Sequence, residues 1–296
     1  EGLHGMISQV EGLAKALDLE YFHEKIELNN FWKLIPPSLT PVKKYIFKNH
    51  IVNEFDVIIS CGRKSVIPSI YLKKNSIKNI INIHIQNPKV SFNNFNYIIA
   101  PEHDGISGKN VILSKGALHY LTIEEIENSK DYLQNLANIE KNIITLVLGG
   151  PTKYYNYSTQ SIKSIFLKIK YLAEKNNLHS IIIPSNRTPK ETVSLAKKVF
   201  LDNTTIIDTI DKKAYLSSLG LAKYIVITCD STSMISEAAL TGKPVYVAMI
   251  KAERDDNRFK VFRKLFENMN ILRKLEDNLE TWSYEKLDEA NRIAKI

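Results

Sequence analysis

Cysteine is scarce in this sequence: Cys61 and Cys229 are its only two, far apart, and neither belongs to a CxxC pair or a His-rich cluster. That excludes a disulfide scaffold and the common structural zinc sites, and it predicts a reducing, cytoplasmic setting. Long apolar runs are also missing. No segment reaches the ~18–20 uninterrupted apolar residues that span a bilayer, and none reads as a basic-then-apolar leader, so the chain is expected to be soluble or at most peripheral. Four chemical signatures are absent as well: the GxxxxGK[ST] phosphate loop, GxGxxG, HExxH and GxSxG. ATPase, standard dehydrogenase, zinc-protease and α/β-hydrolase chemistry therefore lack their usual marks. No aromatic-plus-basic module points to nucleic acid.

What is present describes an ordinary folded chain. Of 296 residues, 44% are hydrophobic and 24% charged, enough for two units of about 100–200 residues, each with a full core. The net charge of +8 comes from 40 Lys+Arg against 32 Asp+Glu. Such a balance favours polyanionic partners in general, including nucleic acid, sugar nucleotides and anionic lipid surfaces. Many lysines, however, fall in stretches such as Lys73-Lys74-Asn75 that read as solvated helix faces.

Continuous apolar runs recur at 57–59, 80–85, 97–100, 111–113, 143–148, 181–183, 224–227 and 245–247, as expected of strands buried on both faces. Helical stripes lie between many of them: Met6, Val10, Leu13, Ala14 and Leu17 in the first, Ile162, Ile165, Phe166, Ile169, Leu172 and Ala173 in the longest. Strand and helix in alternation predict an α/β fold of two tandem Rossmann-like, doubly wound domains with ligands bound in an interdomain cleft. The polar stretch from Thr122 to Asn142 contains no strand run and marks the junction. It divides the chain into residues 1–122, a linker helix over 123–142, and a second domain over 143–280. The turn Gly2-Leu3-His4-Gly5 opens a helix without the strand that normally precedes such a turn, and position 1 is Glu rather than Met. A first strand is therefore expected to be missing ahead of it.

The strongest local signal is Cys229-Asp230-Ser231-Thr232-Ser233-Met234, followed by Glu237, after the run 224–228. A helix starting there presents free N–H groups to an anion, with Ser231 and Ser233 as added donors and Glu237 one turn on to accept from ribose hydroxyls. Equally, Asp230 or Ser231 could simply cap the helix. Two more strand ends carry related turns. Gly149-Gly150-Pro151 lets backbone approach a ligand. In Ser185-Asn186-Arg187-Thr188-Pro189, Arg187 can fork onto a diphosphate while Ser185 and Thr188 add donors, and Thr188 with Pro189 also reads as a helix cap and first helical residue. At the end of the run 97–100, Glu102-His103-Asp104 places three ionisable groups together. The cluster could hold a general base or could be a polar loop satisfying itself. His4 faces the same rim, though a lone loop histidine is more often structural.

These segments in order, together with Gly2 through Ala14, Ile85-Gln86-Asn87-Pro88, Gly116-Ala117-Leu118-His119 and the tail from Arg258 through Tyr284, resemble the "elongate mitochondria" mitochondrial-fission family. Bacterial members of that family are described as glycosyltransferases, and a plant member is implicated in recruiting the fission machinery to mitochondria. Two positions depart from the pattern: Asn87 stands where Asp is usual, and Asn186 stands where a basic residue is common, which weakens the positive field beside Arg187. The resemblance implies a GT-B fold and sugar transfer from a nucleoside diphosphate sugar to an unidentified glycan or lipid-linked acceptor. No Asp-x-Asp pair is present to hold a metal with the sugar diphosphate, so the transfer is expected to be metal-independent, with no cofactor beyond the donor. The implied nucleotide-binding set is Gly149, Gly150, Ser185, Asn186, Arg187, Thr188, Asp230, Ser231, Ser233, Met234 and Glu237. The catalytic candidates are Asp104 and His103, then His4 and Glu11. Residues 281–296 are expected to form a helix crossing back to the first domain, as GT-B enzymes commonly arrange. The rivals are a nucleotide-sugar epimerase of the same architecture and a non-catalytic adaptor at a membrane surface, using Lys43, Lys44 and Lys48 or Arg258, Lys260, Arg263 and Lys264 on anionic lipid.

Overall fold

Each apolar run marked in the sequence becomes a parallel strand. The computed structural model describes residues 4–49, 55–137 and 141–296; Gly2 and Leu3 of the opening turn lie outside them. Contacts divide the chain into one unit of Glu1–Tyr120 with Asp288–Ile296 and another of Leu121–Leu287. In the first, α1 (His4–Ala16) and the short α2 (Asn30–Leu34) precede β1 (Val57–Cys61), α3 (Val66–Asn75), β2 (Ile81–Ile85), β3 (Tyr97–Pro101) and β4 (Val111–Ser114). The four strands pair in sequence order, all parallel.

Alternation along the strands fills both faces of this sheet. On one face, Ile98 and Ala100 of β3 pack with Val66, Ile67 and Ile70 of α3. On the other, Ile99 joins Ile83, Ile85 and Leu13 of α1. His84 of β2 is fully buried against the Phe95 ring, with Nδ1 2.8 Å from Ser60 Oγ. Burial lowers its pKa to about 3, so it stays neutral.

The second unit continues with α4 (Ile123–Asn128), α5 (Lys130–Ala137), β5 (Ile143–Leu148), α6 (Thr159–Lys175), β6 (His179–Pro184), α7 (Lys190–Val199), β7 (Thr204–Ile206), α8 (Lys212–Leu221), β8 (Ala222–Thr228), α9 (Thr232–Ala239), β9 (Val245–Ala248), α10 (Asn257–Asn268) and β10 (Leu272–Lys274). The described residues of the stretch 123–142 thus form two short helices that pack on α8. A capping box in which Thr122 and Glu125 exchange hydrogen bonds starts the first of them. In α6 the buried residues are the six of the apolar stripe, Ile162 through Ala173.

The strand order is β10-β9-β8-β5-β6-β7, all parallel. The chain winds outward from β5 to β7, then returns to place β8 on the other side of β5. Both central strands are almost wholly buried. After this unit the chain rejoins the first one. There α11 (Glu289–Ala294) packs against α1, with Ile293 in the cluster around Leu13. The buried Glu289 carboxylate accepts from the Lys115 N–H at 2.6 Å and from the Arg292 guanidinium. Among the described residues no helix is long and apolar enough to cross a membrane. Cys61 and Cys229 are buried free thiols, which burial pushes up to about 12 and about 11.

Candidate functional site

In an open parallel sheet the loops leaving two neighbouring strands diverge where the winding reverses, and the crevice at the strands' carboxyl ends receives ligands. In the second unit that point lies between β5 and β8. The Gly149-Gly150 turn leaves one strand and Cys229-Asp230-Ser231 the other, so topology alone brings together two segments about eighty residues apart.

Asp230 organises the crevice. Its side chain is wholly buried; Oδ2 accepts from the Gly150 N–H at 3.1 Å and from Arg187 Nη2 at 2.7 Å, while Oδ1 lies 2.5 Å from the Tyr157 hydroxyl. That hydroxyl is also 2.8 Å from Thr228 Oγ1, which accepts from the Gly149 N–H at 2.8 Å. Burial and the adjacent carboxylate push the Tyr157 phenol far above its usual range, so it remains a hydrogen donor. Arg187 closes the ring, donating through Nη1 to the Gly150 carbonyl at 2.9 Å, and its side chain stays 41% exposed.

Both glycines are fitted to this network. A methyl group added at Gly149 would overlap the Asp230 carboxylate, and one at Gly150 would overlap the Arg187 backbone carbonyl. The space that a missing Cβ would leave for a ligand is filled here by the protein itself. Thr188 also differs from expectation. Its Oγ1 lies 2.6 Å from the Gly149 carbonyl and 3.0 Å from that of Leu148, and accepts from the Ser185 N–H at 2.8 Å. The hydroxyl is turned to the β5 loop, and α7 starts one residue later than expected, with Pro189 at the cap position and no side-chain cap. Ser185 Oγ is 3.2 Å from Thr188 Oγ1, and Asn186 is exposed.

At α9 the cap is Ser231, whose Oγ accepts from the Met234 N–H at 3.3 Å. Ser233 and Met234 are partly exposed on the first turn. One turn further, Glu237 accepts from the Tyr215 hydroxyl at 2.6 Å. Burial raises its carboxyl to about 7, against the smaller opposing effect of that hydrogen bond. The raised value sets a pH dependence. Between 4.5 and about 7 the folded chain keeps a proton that the unfolded chain has released, so this group makes stability fall as pH rises through that window. Glu237→Gln is therefore expected to flatten the fall and to stabilise the protein by roughly 1–2 kcal/mol at about pH 8, with little change at about pH 4. Denaturant melts at the two pH values check this.

A second buried network joins Tyr155, Asp256 and Arg263, the last of which is expected from the sequence to lie on a lipid-facing surface. The Tyr155 hydroxyl donates to Asp256 Oδ2 at 2.6 Å and accepts from Arg263 Nη1 at 3.0 Å, and Arg263 Nη2 reaches the same carboxylate at 3.0 Å. Burial raises the Asp256 carboxyl, but the hydrogen bonds from Tyr155, Arg263 and Lys260 outweigh it and hold the group at about 2.

Of the first-unit candidates, two follow a strand and two lie on α1. His103 and Asp104 lie in a helical turn after β3, with His103 Nε2 3.9 Å from Asp104 Oδ1 and both side chains largely buried. Neighbouring Glu102 pairs with Lys115. His4 opens α1, exposed, its ring edge-on to Tyr120 at 6.0 Å between centroids. Glu11 pairs instead with His23 at 2.8 Å.

Comparison with known proteins places this arrangement. A family model described as mitochondrial fission ELM1 matches residues 4–296. A protein of Rickettsia prowazekii (strain Madrid E), described as uncharacterized protein RP120, is 27% identical over 98% of this chain and 92% of its own length. The mitochondrial fission protein ELM1 of Arabidopsis thaliana is 25% identical over 80% of this chain and 62% of that protein, less than two thirds of its length. Among solved structures, S. aureus MnaA, in a co-structure with UDP, superposes with a TM-score of 0.54 over 97% of this chain and 83% of that one, at 13% identity. That likeness is one of fold, the tandem Rossmann-like architecture of the GT-B type. A family match running from the first turn of α1 to the last residue, on two parallel α/β units of which the second is doubly wound, makes the chain a member of the mitochondrial fission ELM1 family.

Proposed function

We propose that the second unit binds a nucleoside diphosphate sugar at the carboxyl end of its sheet, and that the protein transfers the sugar to an acceptor without a metal ion. The observation that carries this assignment is the crossover of β5 and β8, where a buried carboxylate fixes a half-exposed guanidinium beside the start of α9. Arginine has five N–H donors, and the two bonds to Gly150 and Asp230 leave three to face a diphosphate. The first-turn N–H groups of α9 and the Ser233 hydroxyl add donors on the same edge. In the transfer, negative charge grows on the departing diphosphate, and these fixed donors stabilise it without reorganising. Glu237 would accept from ribose hydroxyls. UDP, present in the S. aureus co-structure, is the first nucleotide to test. In the first unit Asp104, with His103 beside it, is the general-base candidate, and His4 is next.

Calorimetric titration with UDP, GDP, ADP and CMP tests the donor site, with Ser233→Ala and Glu237→Gln as controls that leave the Asp230 network intact. Saturable binding of one nucleotide, weakened by both substitutions, is the expected result. A folded protein that binds none of the four overturns the assignment. A nucleotide sugar isomerised in the absence of any acceptor would instead move the activity to epimerisation.

One observation supports contact with an anionic membrane as well. In the first unit Phe31, Leu34, Leu39 and Tyr45 are each more than 60% exposed. Phe31 and Tyr45 flank Trp32, while Lys43 and Lys44 beside them make no ion pair among the described residues. Aromatic and aliphatic tips ringed by lysine suit the headgroup region of an anionic bilayer. At about 1 kcal/mol per lysine, Lys43→Glu with Lys44→Glu is expected to reduce co-sedimentation with phosphatidylserine vesicles by about tenfold or more. Leu34→Asp should reduce it on neutral and charged vesicles alike.

A further inference from the structure

The second unit holds a pocket of about 380 Å³ with a strongly basic lining. Five cationic residues, Lys251, Arg254, Lys260, Arg263 and Lys274, face it with a single acid, Asp256. They come from three places in the fold: the loop after β9, the first turns of α10, and the end of β10. Asp256 cannot neutralise them, because Arg263 at 3.0 Å, Lys260 at 3.1 Å and the Tyr155 hydroxyl already share its carboxylate. Lys251, Arg254 and Lys274 have no carboxylate partner among the described residues.

Converging cations repel one another and lower the stability of the folded state. Flexible exposed side chains would ordinarily spread apart into solvent, yet the walls that carry these are fixed. The Ile250 N–H is held by Cys229 Sγ at 3.3 Å. Ala252 pairs with Tyr155 in an antiparallel bridge, and the Glu253 N–H donates to the Tyr154 carbonyl at 2.8 Å. Arg263, only 8% exposed, is clamped between Tyr155 and Asp256. The frame thus holds an uncompensated positive field around a space within the range of small-molecule pockets. It lies at the same strand ends as the crossover of β5 and β8, since β9 is the neighbour of β8.

We propose that this pocket is an oxyanion site: it receives a phosphate or carboxylate group, with Arg254 and Lys274 as its principal contacts and Lys251 as the third charge. Arg254 can meet such a group through two parallel N–H bonds, the stronger geometry for planar or tetrahedral oxyanions. The anion has two possible sources. It is either an acidic substituent carried by a nucleotide sugar whose diphosphate lies at the crossover, or a separate small anion.

The test is titration with inorganic pyrophosphate at constant ionic strength, on the whole chain and on Arg254→Gln/Lys274→Gln. Both side chains are exposed and repel their cationic neighbours, so the double variant is expected to fold and to melt no lower than the wild type when no ligand is present. The proposal expects saturable binding to the wild type, with affinity at least tenfold lower in the double variant, and no comparable effect of Ser233→Ala at α9. It is overturned if the double variant binds as tightly as the wild type, or if chloride at equal ionic strength protects as well as pyrophosphate. A second arm separates the sources. Preference for UDP-glucuronate over UDP-glucose that vanishes in the double variant assigns the anion to the nucleotide sugar. Pyrophosphate binding that persists under excess UDP and is still lost in the double variant assigns it to a separate ligand. Because the pyrophosphate arm needs no nucleotide, failure of the donor assignment and failure of this one give different results.

Discussion

Gly150→Ala is expected to lower the stability of the second unit by about 3 kcal/mol or more, a fall in Tm of roughly 6–12 °C for a unit of this size. The new methyl group would overlap the Arg187 backbone carbonyl, and backbone cannot rotate away as a long side chain can. Moving that carbonyl would also drag Thr188, whose hydroxyl is fixed on the Gly149 carbonyl. Gly149→Ala meets the same obstacle in the Asp230 carboxylate, held from three directions. Gly105→Ala makes an instructive contrast. Gly105 has a left-handed φ of 63° but open space around it, so only the conformational cost of about 1–2 kcal/mol applies. Thermal melts of the three variants check the order; equal losses at Gly105 and Gly150 would contradict the close packing at the crossover.

Arg187→Ala is expected to be nearly as damaging, for an electrostatic reason. It leaves a fully buried carboxylate with only Tyr157 and the Gly150 N–H as donors. Breaking a buried ion pair from one side typically costs about 3–5 kcal/mol; the half-exposed guanidinium reduces that to about 2 kcal/mol here. Asp230→Asn should cost less, because the amide carries no charge to strand and its oxygen can still accept. The double variant is then expected to be more stable than the sum of the two single losses by about 1–2 kcal/mol, and denaturant titration of all four proteins measures that coupling. Nucleotide affinity should fall in every variant lacking Arg187, including the double one whose stability partly recovers. That separation of binding from stability distinguishes a ligand contact from a purely internal strut.

The strands that matter for the site were legible because burial on both faces leaves uninterrupted apolar runs, as in Ile143–Leu148 and Ala222–Thr228. β7 and β10 left no such mark; they are three-residue edge strands, and β7 is only half-buried. Helix starts were legible where the cap is local. Ser231 caps α9, but Thr188 gives its hydroxyl to the β5 loop some forty residues earlier, a competition invisible along the chain. The Gly149, Arg187 and Asp230 segments could be marked one by one, yet nothing local announces that Arg187 binds Asp230 rather than standing open. Tyr157 and Tyr155 were missed for the same reason, since their partners Asp230 and Asp256 lie 73 and 101 residues away. A tyrosine in a loop has no periodicity to betray it. The basic pocket was half-seen: Lys260 and Arg263 were marked as surface charge, whereas Arg263 is buried in a hydrogen-bonded frame.

The first unit is assembled from both sides of the second in the chain, and this bears on the order of folding during synthesis. Residues 288–296 emerge from the ribosome after every strand of the second unit has been made. Until then, α1 has its face toward Ile293 open to water, and the Lys115 N–H waits for the Glu289 carboxylate. The later-translated unit can therefore reach its final packing before the earlier one does, reversing the usual N-terminal-first sequence. A nascent chain stalled within α10 would carry an unfinished first unit with exposed apolar surface, a natural substrate for chaperones. Damage to α11 would likewise be felt at α1.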